Sequence, residues 1–271
     1  MRLAGAVALV TGGSSGIGAA TTRALKAAGA RPLIAGRDPG RLEVVAKETG
    51  GLALQADLAE PGGPAALATA ALRAAGHIDL LVNNAGIGWA GPIGEITAAK
   101  VDELITVNLT AAIQLTRLLA PTMAERRRGR IVFVSSIAGA TGVRDEAVYA
   151  AAKAGLSCFA ESLSYELADR SVGVSLIFPG VVDTPFFERR GRAYHRRRPA
   201  LVPAERIAEA VIWATQHDQC EVFVPGWLRF PARLHGLAPG MFRALAARFD
   251  GPRRRRRPVP RRAAPGTQGS L

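Results

Sequence analysis

Cysteine is nearly absent from this 271-residue chain: Cys158 and Cys220 stand alone, with no Cys-x-x-Cys spacing and no histidine at metal-ligand distance. That excludes a disulfide-stapled scaffold and leaves no candidate metal site. Both cysteines are read as small buried apolar residues. Also missing is any run of eighteen or more uncharged apolar residues, the length a spanning helix needs. The chain after Met1 enters an apolar strand with no signal-peptide cleavage region, so a soluble, cytoplasmic protein is expected. Acids are absent from residues 251–271, which carry seven arginines and four prolines. Without apolar periodicity this tail cannot bury enough surface to order itself, and it is read as disordered. It holds about half of the net charge of +13: residues 1–250 have 28 basic and 22 acidic residues, a net +6. Charge alone gives such a tail affinity for anionic lipid or nucleic acid, and no specific nucleic-acid binding is expected.

What remains, residues 1–250, is apolar enough to bury one large core, in a chain that is 48% hydrophobic. Apolar runs predict strands over 6–10, 31–35, 52–55, 80–82, 131–135, 174–178 and 221–224. Helix-period segments lie between them, near 19–28, 41–48, 63–75, 98–125, 149–169 and 204–216. Seven strands alternating with helices imply an α/β, Rossmann-like doubly wound three-layer fold: a seven-stranded parallel sheet with helices on both faces. Ligands of such sheets bind beyond the carboxyl ends of the strands.

The first strand runs into Thr11-Gly12-Gly13-Ser14-Ser15-Gly16-Ile17-Gly18. Glycines between a strand and a helix permit a tight turn and let a pyrophosphate approach main-chain amides at the helix N-terminus. At the end of the second strand, where an acid would hold the ribose hydroxyls of NAD, stand Gly36 and Arg37. A glycine leaves room and a guanidinium grips phosphate, so the pair favours NADP(H); Asp38 beside them keeps NAD(H) as the second option. Tyr149 and Lys153, four residues apart, share one face of a helix. A nearby ammonium stabilises phenolate, so Lys153 is expected to lower the Tyr149 pKa from its ordinary value of about 10.

Together with Asn83-Asn84-Ala85-Gly86, Asn108 and Ser136, these signatures follow one order at compatible spacings. The chain resembles the short-chain dehydrogenase/reductase family in its compact single-domain form, from about Leu3 to Val224. The resemblance implies an oxidoreductase transferring hydride between a nicotinamide and a carbonyl or secondary alcohol. It makes Tyr149 the general acid/base, Lys153 a second contact to the nicotinamide ribose, and Ser136 the group that orients the substrate oxygen. Asn108 would hold a water leading protons to the lysine. Cofactor contacts are implied for Gly12, Ser14, Ser15, Gly16, Ile17, Gly18, Arg37, Asp57, Leu58, Asn84, Ala85, Gly86, Pro179, Gly180, Val182 and Thr184, besides Tyr149 and Lys153.

Residues 185–203 match the family's lid over the substrate. Phe186 and Phe187 would line an apolar pocket with Trp89, Ile137 and Val143, and the six arginines of the lid are read as solvated, with attraction of an anionic group as the alternative. The basic amphipathic stretch 225–249 is read as packing over the pocket or on another subunit, ahead of a peripheral membrane contact. A homodimer or homotetramer is implied, through the helices near 98–125 and 149–169. The reading that competes from another class is a catalytically idle NADP-binding sensor or scaffold using its basic tail. An intact Ser136, Tyr149, Lys153 and Asn108 set weighs against it.

Overall fold

The computed structural model describes residues 1–192 and 200–249. The lid residues Tyr194 and His195, three of its arginines and the 251–271 tail lie outside the described residues. The chain divides into two compact units, Met1–Arg233 and Leu234–Leu271. The division falls inside the basic stretch 225–249.

Among the described residues there are nine strands, β1 (Val7–Thr11), β2 (Arg31–Gly36), β3 (Leu52–Gln55), β4 (Leu80–Asn83), β5 (Gly129–Val134), β6 (Val172–Pro179), β7 (Val182–Asp183), β8 (Val202–Pro203) and β9 (Glu221–Val224). Seven of them form one parallel sheet in the order β3-β2-β1-β4-β5-β6-β9, and β7 and β8 make a small parallel pair. Helices α1 (Gly16–Ala27), α2 (Pro39–Thr49), α3 (Gly63–Ala75), α4 (Ala98–Ile105), α5 (Ala111–Glu125), α6 (Ile137–Ala140), α7 (Ala147–Leu167), α8 (Phe186–Arg189) and α9 (Ala204–His217) complete the first unit. Helix α10 (Arg229–Leu237) crosses the division, and α11 (Pro239–Phe249) lies wholly in the second unit, where the His235 ring meets Phe242 edge-on at 5.0 Å.

Strand periodicity sorts the apolar residues into two cores. Val7 and Leu9, Leu81, Ile131 and Phe133 point to the face covered by α3, α5 and α7. Ala8 and Val10, Leu80 and Val82, Val132 and Val134 point to the face covered by α1 and α9. Successive side chains of a strand alternate between faces, and a sheet with helices on both sides needs both sets apolar. Strand order reverses between β1 and β4, which opens a crevice at their carboxyl ends.

Polar groups brace both ends of β1. At its amino end Asp79, 2% exposed, accepts the Val7 N–H at 3.0 Å and the Arg126 guanidinium at 2.6 Å, with His77 at 3.3 Å. Burial alone would raise this carboxyl; the Val7 N–H, Arg126 and His77 outweigh it and hold the pKa below the ordinary carboxylate value. At the carboxyl end Thr11 Oγ1 donates to the Val82 carbonyl and accepts the N–H groups of Asn84 and Ala85, both at 3.0 Å.

Two expectations change. The segment 98–125 is not one helix: a π turn over Thr106–Thr110 separates α4 from α5, with Asn108 inside it. Its composition would suit a membrane span, but half of the most apolar window is buried in the fold, as in a core helix. Cys158 and Cys220 are exposed, not buried. Cys158 falls out of phase with the buried α7 positions Leu156, Ala160 and Leu163, and Cys220 immediately precedes the sheet-edge strand β9.

Candidate active site

One elongated cavity of about 450 Å³ opens beyond the carboxyl ends of the strands. The turn after β1 lines its middle. Gly12 has φ +63°, a left-handed conformation that favours glycine. Gly18 does not line the cavity, contrary to the expectation that it touches the cofactor. It packs behind the turn, where a Cβ would come within 2.1 Å of the Gly12 carbonyl oxygen. Asn84 staples the turn from β4, its Nδ2 donating to the Thr11 carbonyl at 2.9 Å.

At one end of the cavity lie Gly36, Arg37, Asp38, Arg41, Asp57 and Leu58. Asp38 is the N-cap of α2: its carboxylate accepts the Arg41 N–H at 2.9 Å and pairs with the Arg41 guanidinium at 3.0 Å. Those contacts hold its pKa below the ordinary value. Arg37 faces Asp57 at 3.8 Å, while Asp57 Oδ1 accepts the Ala59 N–H. Arg41 was missed by sequence reasoning, although its place four residues after Arg37, in the first turn of a helix, is a signal for anion recognition.

The other end gathers Ser136, Tyr149, Lys153 and Asn108, 9%, 9%, 4% and 1% exposed. Ser136, at the end of β5, caps α6 by accepting the Ala138 N–H at 3.1 Å. Tyr149 and Lys153 come from consecutive turns of α7. Burial pushes the Tyr149 phenol up to about 12; the Ser136 hydroxyl draws it down, Glu146 raises it further and Arg190 opposes that. The expected lowering by Lys153 is not found. The Lys153 ammonium donates to the Val134 carbonyl at 2.9 Å, and burial brings its own pKa down to about 8. Asn108 Nδ2 donates to the carbonyls of Ile87 and Leu104 and its Oδ1 accepts the Ile87 N–H, which leaves one oxygen lone pair for any water. Gly86 lies between these groups: a Cβ there would approach Asn108 Oδ1 to 2.8 Å and Lys153 Nζ to 3.5 Å.

Pro179, Gly180, Val182 and Thr184 line the same cavity, as do Ile137, Val143, Phe186 and Phe187. The Phe186 ring sits 5.7 Å from that of Tyr149 and 5.6 Å from that of Phe187. Trp89 is not among the lining residues; its indole turns back over Gly91. Each described lid arginine has a partner, and Arg189 stays exposed to solvent as well. Arg190 forms a partly buried ion pair with Glu146, the residue before α7, and stacks over Phe187 at 4.5 Å. Arg192 pairs with Asp145 at 3.0 Å, and Arg189 donates to Ser15 Oγ at 3.1 Å. Their partners are far away in sequence, so no local pattern announces them.

The cavity suits a dinucleotide: it is lined by Arg37 and Arg41 at one end, crossed by a turn with no Cβ at Gly12, and bounded at the other end by a phenol and an ammonium. Known proteins agree with that description. The short chain dehydrogenase family model matches residues 6–195. Dehydrogenase/reductase SDR family member 7B of Mus musculus is 32% identical over 268 residues, spanning 91% of this chain and 82% of that protein. The crystal structure of a metagenomic short-chain oxidoreductase in complex with NADP shares 39% identity at a TM-score of 0.70, covering 82% of this chain and 97% of that one. The 3-ketoacyl-(acyl-carrier-protein) reductase from Brucella melitensis, complexed with NADH, shares 28% identity at a TM-score of 0.76 with the same two coverages. Sheet order, cavity and family match together make this chain a member of the short-chain dehydrogenase/reductase family, a nicotinamide-dependent oxidoreductase acting on CH–OH groups.

Proposed function

We propose that the chain is an NADP(H)-dependent reductase of a carbonyl group, with Tyr149 as the proton donor. The observation that carries this reading is that Ser136, Tyr149, Lys153 and Asn108 line the same cavity whose far end holds Arg37 and Arg41. The preference for NADP(H) is supported by Asp38, whose carboxylate is committed to capping α2 and pairing Arg41 and so does not stand free to hold ribose hydroxyls. Gly12, Ser14, Ser15, Gly16, Ile17, Asp57, Leu58, Asn84, Ala85, Gly86, Pro179, Gly180, Val182 and Thr184 would hold the rest of the cofactor.

When bound, the reduced nicotinamide supplies hydride to the carbonyl carbon. A phenol pKa near 12 keeps Tyr149 protonated at neutral pH, which suits it to donate a proton to the substrate oxygen as negative charge develops there. Ser136 Oγ donates a hydrogen bond to the same oxygen. Lys153, with a pKa near 8, exchanges protons close to neutrality and returns one to the phenolate. Asn108 is a positioning residue that ties the π turn to residue 87 beside Lys153.

Phe186, Phe187, Ile137 and Val143 favour a substrate with an apolar body. A 3-ketoacyl thioester is the first one to try, given the relative that bears that name. A homo-oligomer through α4, α5 and α7 is part of the same reading; Tyr165, 71% exposed on α7, is a large ring such an interface would cover. The deciding experiment is NADPH oxidation against 3-ketoacyl thioesters and simple ketones, in wild type and Tyr149→Phe. Turnover that depends on Tyr149 supports the reading, and equal turnover in the variant refutes it.

A further inference from the structure

We propose that Arg189, in the segment read from sequence as a substrate lid, is a specificity residue for the cofactor: with Arg37 and Arg41 it forms the site for the 2′-phosphate of the adenosine half. This rests on the NADP(H) reading above and adds a residue to it. Arg189 ends the single turn of α8 and reaches back to the turn after β1, where its Nη2 donates to Ser15 Oγ at 3.1 Å. Ser15 is the N-cap of α1, yet its hydroxyl makes no capping bond to that helix. Instead it orients a guanidinium that lines the same cavity as Arg37 and Arg41.

The three guanidiniums are near enough to act on one another. Partial burial lowers the pKa of Arg189, Arg41 and Arg37 lower it further, and Glu188 and Asp38 offset only part of this. Three carboxylates answer them incompletely: Asp38 is taken up by the α2 cap and Arg41, Asp57 meets Arg37 only at 3.8 Å, and Glu188 acts on Arg189 without forming an ion pair with it. Among the described residues no carboxylate stands within ion-pair distance of Arg189. Clustered guanidiniums with too few carboxylates repel one another until an anion joins them, and a phosphate monoester, a dianion with three acceptor oxygens, fits planar forked donors best.

The test measures dissociation constants of NADPH, NADH, adenosine 2′,5′-bisphosphate and 5′-AMP for wild type, Arg189→Ala and Arg189→Lys. Expected is a loss of about tenfold or more for NADPH and the bisphosphate in Arg189→Ala, with NADH and 5′-AMP changed less than twofold and partial recovery in Arg189→Lys. Equal losses for NADPH and NADH would move Arg189 to the pyrophosphate and overturn the proposal. So would an undiminished NADPH preference in Arg189→Ala. A wild type that binds NADH as tightly as NADPH would instead refute the NADP(H) reading itself, which separates the two failures.

Discussion

Lys153 donates its ammonium proton to the Val134 carbonyl at 2.9 Å, and so ties the helix that carries Tyr149 to the last residue of the strand that leads into Ser136. The three groups that meet at the reacting end of the cavity are therefore held to one another by the main chain of β5. Lys153 is a fixed part of that frame.

Removing the phenolic hydroxyl leaves this frame intact. Tyr149→Phe is expected to lower turnover about a hundred- to ten-thousand-fold, the range for one positioned acid–base group, with NADPH affinity within twofold of wild type. Steady-state rates alongside fluorescence titration of NADPH check both halves. A variant that turns over normally would remove Tyr149 from the chemistry.

Acid–base behaviour follows from the burial of Lys153. Its pKa of about 8 leaves the ammonium protonated below that pH and neutral above it, while Tyr149 stays protonated up to about 12. The rate of carbonyl reduction should fall as pH rises past about 8, and Lys153→Arg should shift or abolish that limb. A profile of kcat/KM from pH 6 to 10 reads this directly; a flat profile in wild type would exclude Lys153 as the titrating group.

Asp79 governs stability at the opposite end of the sheet. Its carboxyl is held below the ordinary pKa of about 4, so the folded state binds this proton less readily than the unfolded chain. The contribution is fully present above the unfolded pKa and is lost as pH falls through the folded one. Asp79→Asn should cost about 2 kcal/mol at neutral pH and flatten the acid limb of the Tm profile, measurable by calorimetry from pH 3 to 7.

Gly18→Ala tests the packing behind the cofactor turn. Its Cβ would come within 2.1 Å of the Gly12 carbonyl oxygen and 2.6 Å of Asn84 Nδ2. The turn must shift, so binding of NADPH and NADH should weaken together, by at least about tenfold, a loss of about 1.4 kcal/mol. Titration with each cofactor distinguishes this common loss from the phosphate-selective loss expected of Arg189.

Much of this molecule is legible in its sequence because local rules act there undisturbed. The strands around β1 and β4 are short apolar runs ended by glycine or asparagine, and each large-sheet strand begins and ends within two residues of its expected span. Tyr149 and Lys153 announce themselves by helical spacing, which the fold preserves. Other features depend on residues far apart in the chain. A π turn adds one residue to a helix while nearly keeping its apolar period, so nothing local marks the break at Thr106–Thr110. Arg189 and Arg190 read as surface charge until Ser15 and Glu146 are brought beside them. Trp89 is aromatic and near the site in sequence, but the turn at Gly91 folds its ring away from the cavity.

Because β1 is covered by helices on both faces, a slip of one residue in its pairing would exchange two apolar sets instead of exposing one. Hydrophobicity is then nearly indifferent to register at the centre of this sheet. What tells the correct alignment from its neighbours is polar and terminal: Asp79 accepts the N–H of Val7 at one end, and at the other Thr11 meets Val82, Asn84 and Ala85. A slipped β1 would leave all of these bonds unmade, two of them to the segment after β4 that staples the cofactor turn. The alignment that folds the sheet is thereby the same one that aims its first strand at the ligand.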